Sequence, residues 1–126
     1  MHYALLLAND PEAWDDPDAG ADDGVIADWK AYTDALAAAG VLVSGAALHA
    51  PETATSVRRR SGERLLVDGP WAETKEHLVG FYVIDVADLD TALEWAGRVP
   101  NVRTGTVEVR PIHDTSLVDV ALARGD

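Results

Sequence analysis

The 126-residue chain has room for one ordinary domain and not two, and a hydrophobic content of 48% is enough to form a folded core. Its net charge of -12 argues against binding to nucleic acid or to an anionic membrane, because phosphate groups are bound by clustered cations. The sequence has no cysteine, which excludes disulfides, thiolate metal sites and cysteine nucleophiles.

The first apolar run of the chain is too short to direct export or to cross a membrane. Residues 4–8 are apolar, but no basic segment precedes them and a charged loop follows closely. A signal peptide needs a basic lead, and a membrane helix needs about 20 apolar residues. We therefore predict a cytoplasmic protein that has neither a membrane nor a nucleic acid as its partner.

The first third of the chain is predicted to form a strand, a loop, a helix and a second strand. Residues 2–8 have the composition of a short strand, and residues 9–23 form an acidic loop without the spacing of a calcium site. The following helix ends at Gly40, and residues 41–49 form the next strand. The helical spacing is carried by Val25, Trp29, Tyr32 and Leu36, with Ile26 and Thr33 beside them.

A hairpin and a strongly apolar strand are predicted in the middle of the chain. Residues 55–60 pair with residues 63–67 across a turn at Ser61 and Gly62. Residues 79–86 form the clearest strand, because apolar side chains occupy both of its alternating faces. One face carries Val79, Phe81 and Val83, and the other carries Tyr82, Ile84 and Val86.

A second helix, a last strand and a tail complete the chain. Asp88 is suited to cap the helix. The apolar stripe of this helix consists of Leu89, Ala92, Leu93 and Ala96. Residues 103–112 form the last strand, so that the domain spans residues 1–112. The tail, residues 113–126, is predicted to be a short helix or a mobile end.

The order of the elements predicts the fold class. Without the hairpin, the chain reads strand-helix-strand twice, which is the split βαβ pattern of ferredoxin-like α+β folds. The two helices of such a fold cover one face of the sheet and leave the other bare. A strand that is apolar on both faces needs cover on both, and a second copy of the chain is the simplest cover. We therefore predict a homodimer that forms an α+β barrel with a cleft between the two sheets.

Residues 68–76, Asp-Gly-Pro-Trp-Ala-Glu-Thr-Lys-Glu, resemble the DGPF signature of the YCII-related family, in which phenylalanine usually stands at the position of Trp71. The resemblance continues at residues 80–82, 92–96 and 107–111. It implies a ferredoxin-like dimer with a cleft beside the DGPF segment and no settled activity for the family as a whole. It also implies a His-Asp pair in the smaller relatives, and an association of the DGPF branch with extracytoplasmic-function sigma factors.

The DGPF segment holds the first group of candidate site residues. Asp68, Glu73, Lys75 and Glu76 place four ionisable groups near one turn, where they can shift each other's pKa values as acid-base chemistry requires. The alternative is a capped turn in which Asp68 accepts hydrogen bonds from nearby amides and Glu73 pairs with a cation. Trp71 either lines a ligand cleft or fills the core.

A second group of candidates lies outside that segment. Glu108 and Arg110 share one face of the last strand, so Arg110 either binds a carboxylate ligand or pairs with Glu108. His49 is the best-placed histidine for a general base, although it can equally be an edge residue. Tyr82 is expected beside them in the cleft. No pair of histidines and no glycine-rich nucleotide motif has the required spacing, so neither a metal nor a cofactor is predicted.

Two functions of different classes follow from these candidates. In the first, a YCII-related domain binds a small molecule in the dimer cleft, for which an anion is one option, with a link to transcriptional regulation by alternative sigma factors. The binding residues would be Trp71, Glu73, Lys75, Tyr82 and Arg110. In the second, the protein is a cofactor-free lyase, isomerase or hydrolase that uses His49 or Asp68 for proton transfer. Whether the protein is an enzyme is left open by the sequence.

Overall fold

The computed structural model describes residues 1–10, 23–70 and 75–113. The elements are β1 (His2–Asn9), α1 (Asp23–Ala38), β2 (Leu42–Ala47), β3 (Thr55–Arg60), β4 (Glu63–Asp68), β5 (His77–Asp85), α2 (Leu89–Ala96) and β6 (Thr106–Pro111). Short 3-10 helices at Pro51–Thr53 and Pro100–Arg103 connect some of them. Most of the predicted acidic loop and tail, together with Trp71 and Glu73, lies outside the described residues.

The strands form two separate antiparallel sheets. The larger sheet has the order β2-β5-β1-β6, and β3 and β4 pair only with each other. With the hairpin set aside, this order and the two crossover helices agree with the ferredoxin-like, split βαβ arrangement expected from the sequence. Neither of these two sheets closes on itself within the described chain, so the dimeric barrel stays a prediction.

Helix α1 ends where the sequence predicts. Gly40 adopts a φ of 73°, which glycine tolerates without steric cost. The Gly40 amide donates to the Ala37 carbonyl, and the Val41 amide donates to the Leu36 carbonyl, which is the hydrogen-bond pattern of a Schellman motif. Helix α1 buries Tyr32 and Leu36 against the sheet and leaves Ile26 exposed. Its C-terminus therefore fixes where β2 begins.

The core lies on the helix side of the four-stranded sheet. Leu5 and Ile84, at the centre of this face, are completely buried. The core also includes Tyr3, Leu7, Tyr32, Leu36, Val79, Tyr82, Val86, Ala92, Ala96 and Val99. Because large aliphatic and aromatic side chains release most free energy when they leave water, this face holds the sheet and both helices together.

The predicted alternation of residues 79–86 is interrupted at Val79. Leu7 pairs with Gly80 and Ala8 pairs with Leu78, so that Val79 is the additional residue of a β-bulge. The bulge turns Val79 into the core, where it is 5% exposed, rather than toward the face of Phe81. The prediction that Val79 shares a face with Phe81 and Val83 is therefore wrong, because a bulge reverses the alternation at that point.

Helix α2 begins at the predicted cap but buries a narrower stripe than predicted. The Asp88 carboxylate accepts a hydrogen bond from the Thr91 amide at 2.9 Å. Ala92 is buried, whereas Leu89 and Leu93 are 47% and 49% exposed. Leu93 follows Ala92 directly and therefore lies about 100° further around the helix. The predicted four-residue stripe is thus wrong for the two leucines.

One face of the four-stranded sheet has no helix against it among the described elements. Residues that face each other across antiparallel strands share a face, and the register places Leu6 between Phe81 and Glu108, and Ala4 between Val83 and Arg110. We call this surface, formed by Ala4, Leu6, Phe81, Val83, Glu108 and Arg110, the open face. Its four apolar residues are half-buried.

Candidate functional site

A crevice of about 480 Å³ separates α1 from the β2 and β5 side of the sheet. Helix α1 contributes Ile26, Trp29, Lys30, Thr33 and Asp34 to its wall. The strands contribute Leu7, Leu42, Gly45, Ala46, Ala47, Val79, Gly80, Phe81 and Tyr82. Most of these residues are apolar, and this volume is typical of small-molecule sites.

The hydroxyl groups of Thr33 and Tyr82 form a hydrogen-bonding site in this wall. Thr33 Oγ1 and Tyr82 Oη are 2.7 Å apart. Thr33 also donates its hydroxyl proton to the Trp29 carbonyl at 3.0 Å. Because a hydroxyl group has only one proton to donate, Tyr82 is the donor in the pair with Thr33. The Tyr82 oxygen therefore keeps lone pairs that can accept a hydrogen bond from a ligand.

The Tyr82 phenol stays protonated at neutral pH. Burial raises the pKa of Tyr82 above its ordinary value, and the hydrogen bond with Thr33 opposes that rise only in part. A group with a raised pKa can position a ligand by hydrogen bonding but is a poor base near pH 7. The hydroxyl pair is thus suited to recognition rather than to proton abstraction.

Aromatic neighbours hold Tyr82 in place. The rings of Tyr32 and Tyr82 meet edge to face, with 5.4 Å between their centroids. The Tyr32 hydroxyl donates to the Trp95 carbonyl at 2.8 Å, and the Arg98 guanidinium lies 4.4 Å from the centre of the Trp95 ring. Such contacts restrict ring rotation. The Tyr82 hydroxyl is consequently held in position before any ligand binds.

An ion pair stands at the α1 side of the crevice. Lys30 Nζ lies 2.8 Å from Asp34 Oδ2, one helical turn away, and both side chains are mostly exposed. The hydrogen bond to Asp34 raises the pKa of Lys30. Since each charge offsets the other, this pair gives the crevice no strong attraction for an anion.

The structure does not bring Tyr82 and Arg110 together within one chain. Tyr82 pairs with buried Leu5, whereas Arg110 pairs with Ala4, the neighbouring residue, so the two side chains leave opposite faces of the sheet. Arg110 Nε lies 3.8 Å from Glu108 Oε2, with 70% and 59% of the two side chains exposed. This geometry agrees with the ion-pair alternative for Arg110.

His49, Asp68 and Lys75 are exposed and lie outside the crevice wall. His49 follows β2, Asp68 is the last residue of β4, and Lys75 precedes β5. Trp71 and Glu73 fall outside the described residues.

The turn after β4 is held by two hydrogen bonds of Gly69. Gly69, at a φ of 97°, donates its amide to the Ala54 carbonyl at 2.7 Å. The Ser56 hydroxyl donates to the Gly69 carbonyl at 2.7 Å. Within the described ranges these bonds close the turn, and the predicted capping role of the Asp68 carboxylate stays a prediction.

A His-Asp contact occurs at the start of β1. His2 Nε2 lies 3.7 Å from Asp85 Oδ2, and the amino group of Met1 lies 2.9 Å from Asp85 Oδ1. The hydrogen bond from the amino terminus is the main cause that lowers the pKa of Asp85. An exposed carboxylate with a lowered pKa is a weak proton acceptor, so this contact offers little to acid-base chemistry.

The comparison with known proteins agrees with the motif at residues 68–76. The family model of the YCII-related domain matches residues 1–116. This chain belongs to the YCII-related domain family. It is similar to the uncharacterized protein R00369 of Rhizobium meliloti (strain 1021), with 41% identity over 117 residues, which cover 89% of this chain and 92% of that protein. Membership therefore establishes the kind of domain without assigning an activity.

Two glycines of this YCII-related domain shape the crevice and were not among the sequence candidates. A Cβ atom at Gly45 would lie 2.9 Å from Tyr82 Cδ1 and 3.0 Å from the Phe81 carbonyl. A Cβ atom at Gly80 would lie 2.9 Å from the Ala46 carbonyl. Glycine inside a strand often marks such a close approach, and this signal was available in the sequence.

The described part of this YCII-related domain has no helix that is long and apolar enough to cross a membrane. Across residues 1–10, 23–70 and 75–113, no group of three or more histidine or carboxylate side chains is arranged to hold a metal ion.

Proposed function

We propose that this YCII-related domain binds a small, neutral and largely apolar molecule in the crevice between α1 and the sheet. The observation that carries the proposal is the hydroxyl pair of Thr33 and Tyr82 in a wall that is otherwise apolar apart from the Lys30–Asp34 ion pair. Ligand sites commonly combine an apolar surface with a few fixed polar groups that set the ligand's orientation.

The hydroxyl pair specifies the chemistry of the ligand. Because Tyr82 donates to Thr33, the Tyr82 oxygen is available as an acceptor, and the ligand should present an N–H or O–H group. Phenols, indoles and small alcohols have this combination of a donor and apolar surface. Lys30 and Arg110 each have a carboxylate partner, which favours such a neutral ligand over the anion expected from the sequence.

Binding has more support here than acid-base catalysis. The crevice wall contains a tyrosine with a raised pKa and a carboxylate, Asp34, that is paired with Lys30. His49 and Asp68, the proposed proton-transfer residues of the enzyme alternative, do not line the crevice. The link to sigma-factor regulation remains a prediction from the family resemblance, and a ligand sensor is compatible with it.

We also propose that the open face mediates a homodimer. Its half-buried apolar residues include Leu6 and Phe81 at the centre of the sheet. A second copy would remove these side chains from water, and two-fold dimers are the commonest oligomers. Phe81→Asp should consequently give a monomer in sedimentation experiments.

The ligand proposal is tested with phenol and indole as probes and with two matched variants. Tyr82→Phe removes the acceptor in the crevice, while Tyr3→Phe removes a hydroxyl that donates to Met1 Sδ outside it. We expect both probes to raise the melting temperature saturably and to perturb NMR signals of α1. Tyr82→Phe should weaken the probes about 5- to 10-fold, as loss of one hydrogen bond does, and Tyr3→Phe should leave their affinity unchanged.

A crevice-filling variant tests whether the probes bind inside the crevice or elsewhere. Ala47→Leu adds apolar volume at the wall and should block both probes. Equal binding of the probes to the wild type, to Tyr82→Phe and to Ala47→Leu would show that they bind elsewhere, and the crevice would lose its role.

A further inference from the structure

We propose that the β3–β4 hairpin is an arm that packs against the acidic body of a second copy of this chain. We call residues 55–68 the arginine hairpin, since they contain Arg58, Arg59, Arg60 and Arg64. The body is the rest of the chain. The inference rests on the homodimer proposed above and assigns the hairpin a part in it.

The arginine hairpin has almost no cover within its own chain. Its two strands pair only with each other, and every residue of β4 is exposed. Its apolar side chains Val57, Leu65, Leu66 and Val67 are 61%, 42%, 56% and 55% exposed. Val57 and Leu66 lie opposite each other on one face of the hairpin, together with Arg59 and Arg64, whereas Leu65 and Val67 lie on the other face. A two-stranded hairpin alone is only marginally stable in water, and exposed apolar side chains grouped on one face favour an interaction there. The hairpin therefore needs a partner surface that buries it.

The net charge of the hairpin indicates the charge of the partner surface. Four of the chain's ten basic residues and two of its twenty-two acidic residues fall in the hairpin, so the hairpin has a net charge of +2 and the body has -14. Arg59 and Arg64 stand directly opposite each other, and like charges in that position destabilise a strand pair.

The described contacts of these arginines do not relieve that repulsion. Arg59 donates to the Gly62 carbonyl at 3.0 Å and Arg60 donates to the Arg59 carbonyl at 2.9 Å. Within the described ranges, none of the four arginines forms an ion pair with a carboxylate. A neighbouring acidic surface would remove the repulsion.

A second copy of the chain satisfies both requirements. Its body is strongly acidic, and it also exposes apolar side chains outside the open face, such as Leu89 and Leu93. In a two-fold dimer each hairpin would pack against the body of the other copy, so that both hairpins are covered. Nucleic acid fits less well, because a body charge of -14 repels phosphates and because valine and leucine side chains give phosphate no contact.

The size of the hairpin makes it an addition to the open-face interface rather than a replacement. A stable interface buries about 800 Å² on each partner, and four half-exposed aliphatic side chains supply only part of this area. The arm should therefore tighten a dimer that the open face forms, and the tightening should depend on salt because it involves exposed charges.

The first experiment measures the dimer dissociation constant by sedimentation equilibrium. Arg64→Glu is compared with Arg103→Glu, which makes the same charge change at an exposed site on the body. Each substitution occurs twice in a symmetric dimer, so we expect Arg64→Glu to weaken association roughly tenfold at low salt. Arg103→Glu should change it little, and added salt should weaken the wild type more than Arg64→Glu. Circular dichroism should show that both variants fold.

The second experiment uses the absence of cysteine to introduce single thiols as probes. Leu66→Cys reports on the hairpin, and Val102→Cys, at a similarly exposed body position, is the control. As the protein concentration rises through the dimer range, alkylation should slow at residue 66 and stay constant at residue 102.

The outcomes separate the arm from the dimer itself. A dimer that is lost in Phe81→Asp but unaffected by Arg64→Glu, with residue 66 equally reactive throughout, would leave the open-face interface intact and overturn the arm. A wild-type monomer at all concentrations would overturn both proposals. Binding of duplex DNA tighter than about 1 μM at physiological salt, if abolished by Arg64→Glu, would show that the arm serves nucleic acid and would also overturn the inference.

Discussion

The two sheets of this protein bury their apolar side chains to very different extents. In the four-stranded sheet, Leu5 and Ile84 are completely buried beneath the helices, whereas in the arginine hairpin Leu66 remains 56% exposed. Both segments are rich in residues that favour strands, so strand propensity does not account for the difference. The helices of the chain therefore cover the core face of the first sheet, whereas the apolar side chains of the second sheet remain exposed in the described part of the chain.

The largest expected effect comes from equal truncations in the two sheets. Leu5→Ala removes a fully buried side chain and should lower the free energy of unfolding by about 2–5 kcal/mol. Leu66→Ala removes an exposed side chain and should change the stability of the dilute protein by no more than about 0.5 kcal/mol. Urea denaturation at low protein concentration checks both values. Equal losses would mean that the hairpin is covered within its own chain.

Replacing a glycine by alanine in each sheet extends the comparison of the two sheets, with smaller expected losses of stability. Gly45→Ala places a Cβ atom 2.9 Å from the Tyr82 ring in the large sheet, and we expect a loss of about 1–3 kcal/mol with displacement of that ring. Gly62→Ala, at a φ of 80° in the hairpin turn, meets no atom within 4 Å. Its cost is backbone strain alone, about 1–2 kcal/mol.

The Tyr82 fluorescence or NMR signal distinguishes these two causes. It should change in Gly45→Ala and remain unchanged in Gly62→Ala, although both variants lose stability. An unperturbed Tyr82 in Gly45→Ala would mean that the strands separate easily, and the crevice would then be deformable rather than preformed.

The sequence predicted those features that depend on a few neighbouring residues. Gly40 ends α1 and Asp88 begins α2 because each meets a backbone requirement that its own residue type can satisfy. The Ser61-Gly62 turn also formed as expected, with φ angles of 53° and 80°, because the positive φ values of a tight hairpin turn favour such residues. The βαβ order then followed from the sequence of elements.

The features that depend on long-range register could not be predicted in the same way. The bulge at Val79 is visible only once β1 and β5 are paired, and it decides which residues face the core. The sequence singles out Tyr82 as a candidate, and Tyr82 lines the crevice, but the sequence identifies its partner Thr33 only as a helix-face residue. Arg110 was assigned to the same cleft as Tyr82, yet the pairing of each residue with β1 places them on opposite faces.

The smallest expected effect concerns the cap of α2, which belongs to the self-covered part of the fold. Hydrogen bonds from the Thr91 amide and hydroxyl lower the pKa of the Asp88 carboxyl below its ordinary value of 3.8. A lowered folded-state pKa means that the unfolded chain binds the proton more tightly, so stability is present above pH 3.8 and is lost as the pH falls through the folded-state pKa. Urea midpoints of the wild type should accordingly fall below pH 4, and Asp88→Asn should reduce that fall. Asp90→Asn removes the same charge from the same helical turn without removing the cap and should retain the wild-type slope. If both variants behaved alike, the slope would arise from the general acidity of the surface, and the Asp88 carboxylate would contribute no specific stability to α2.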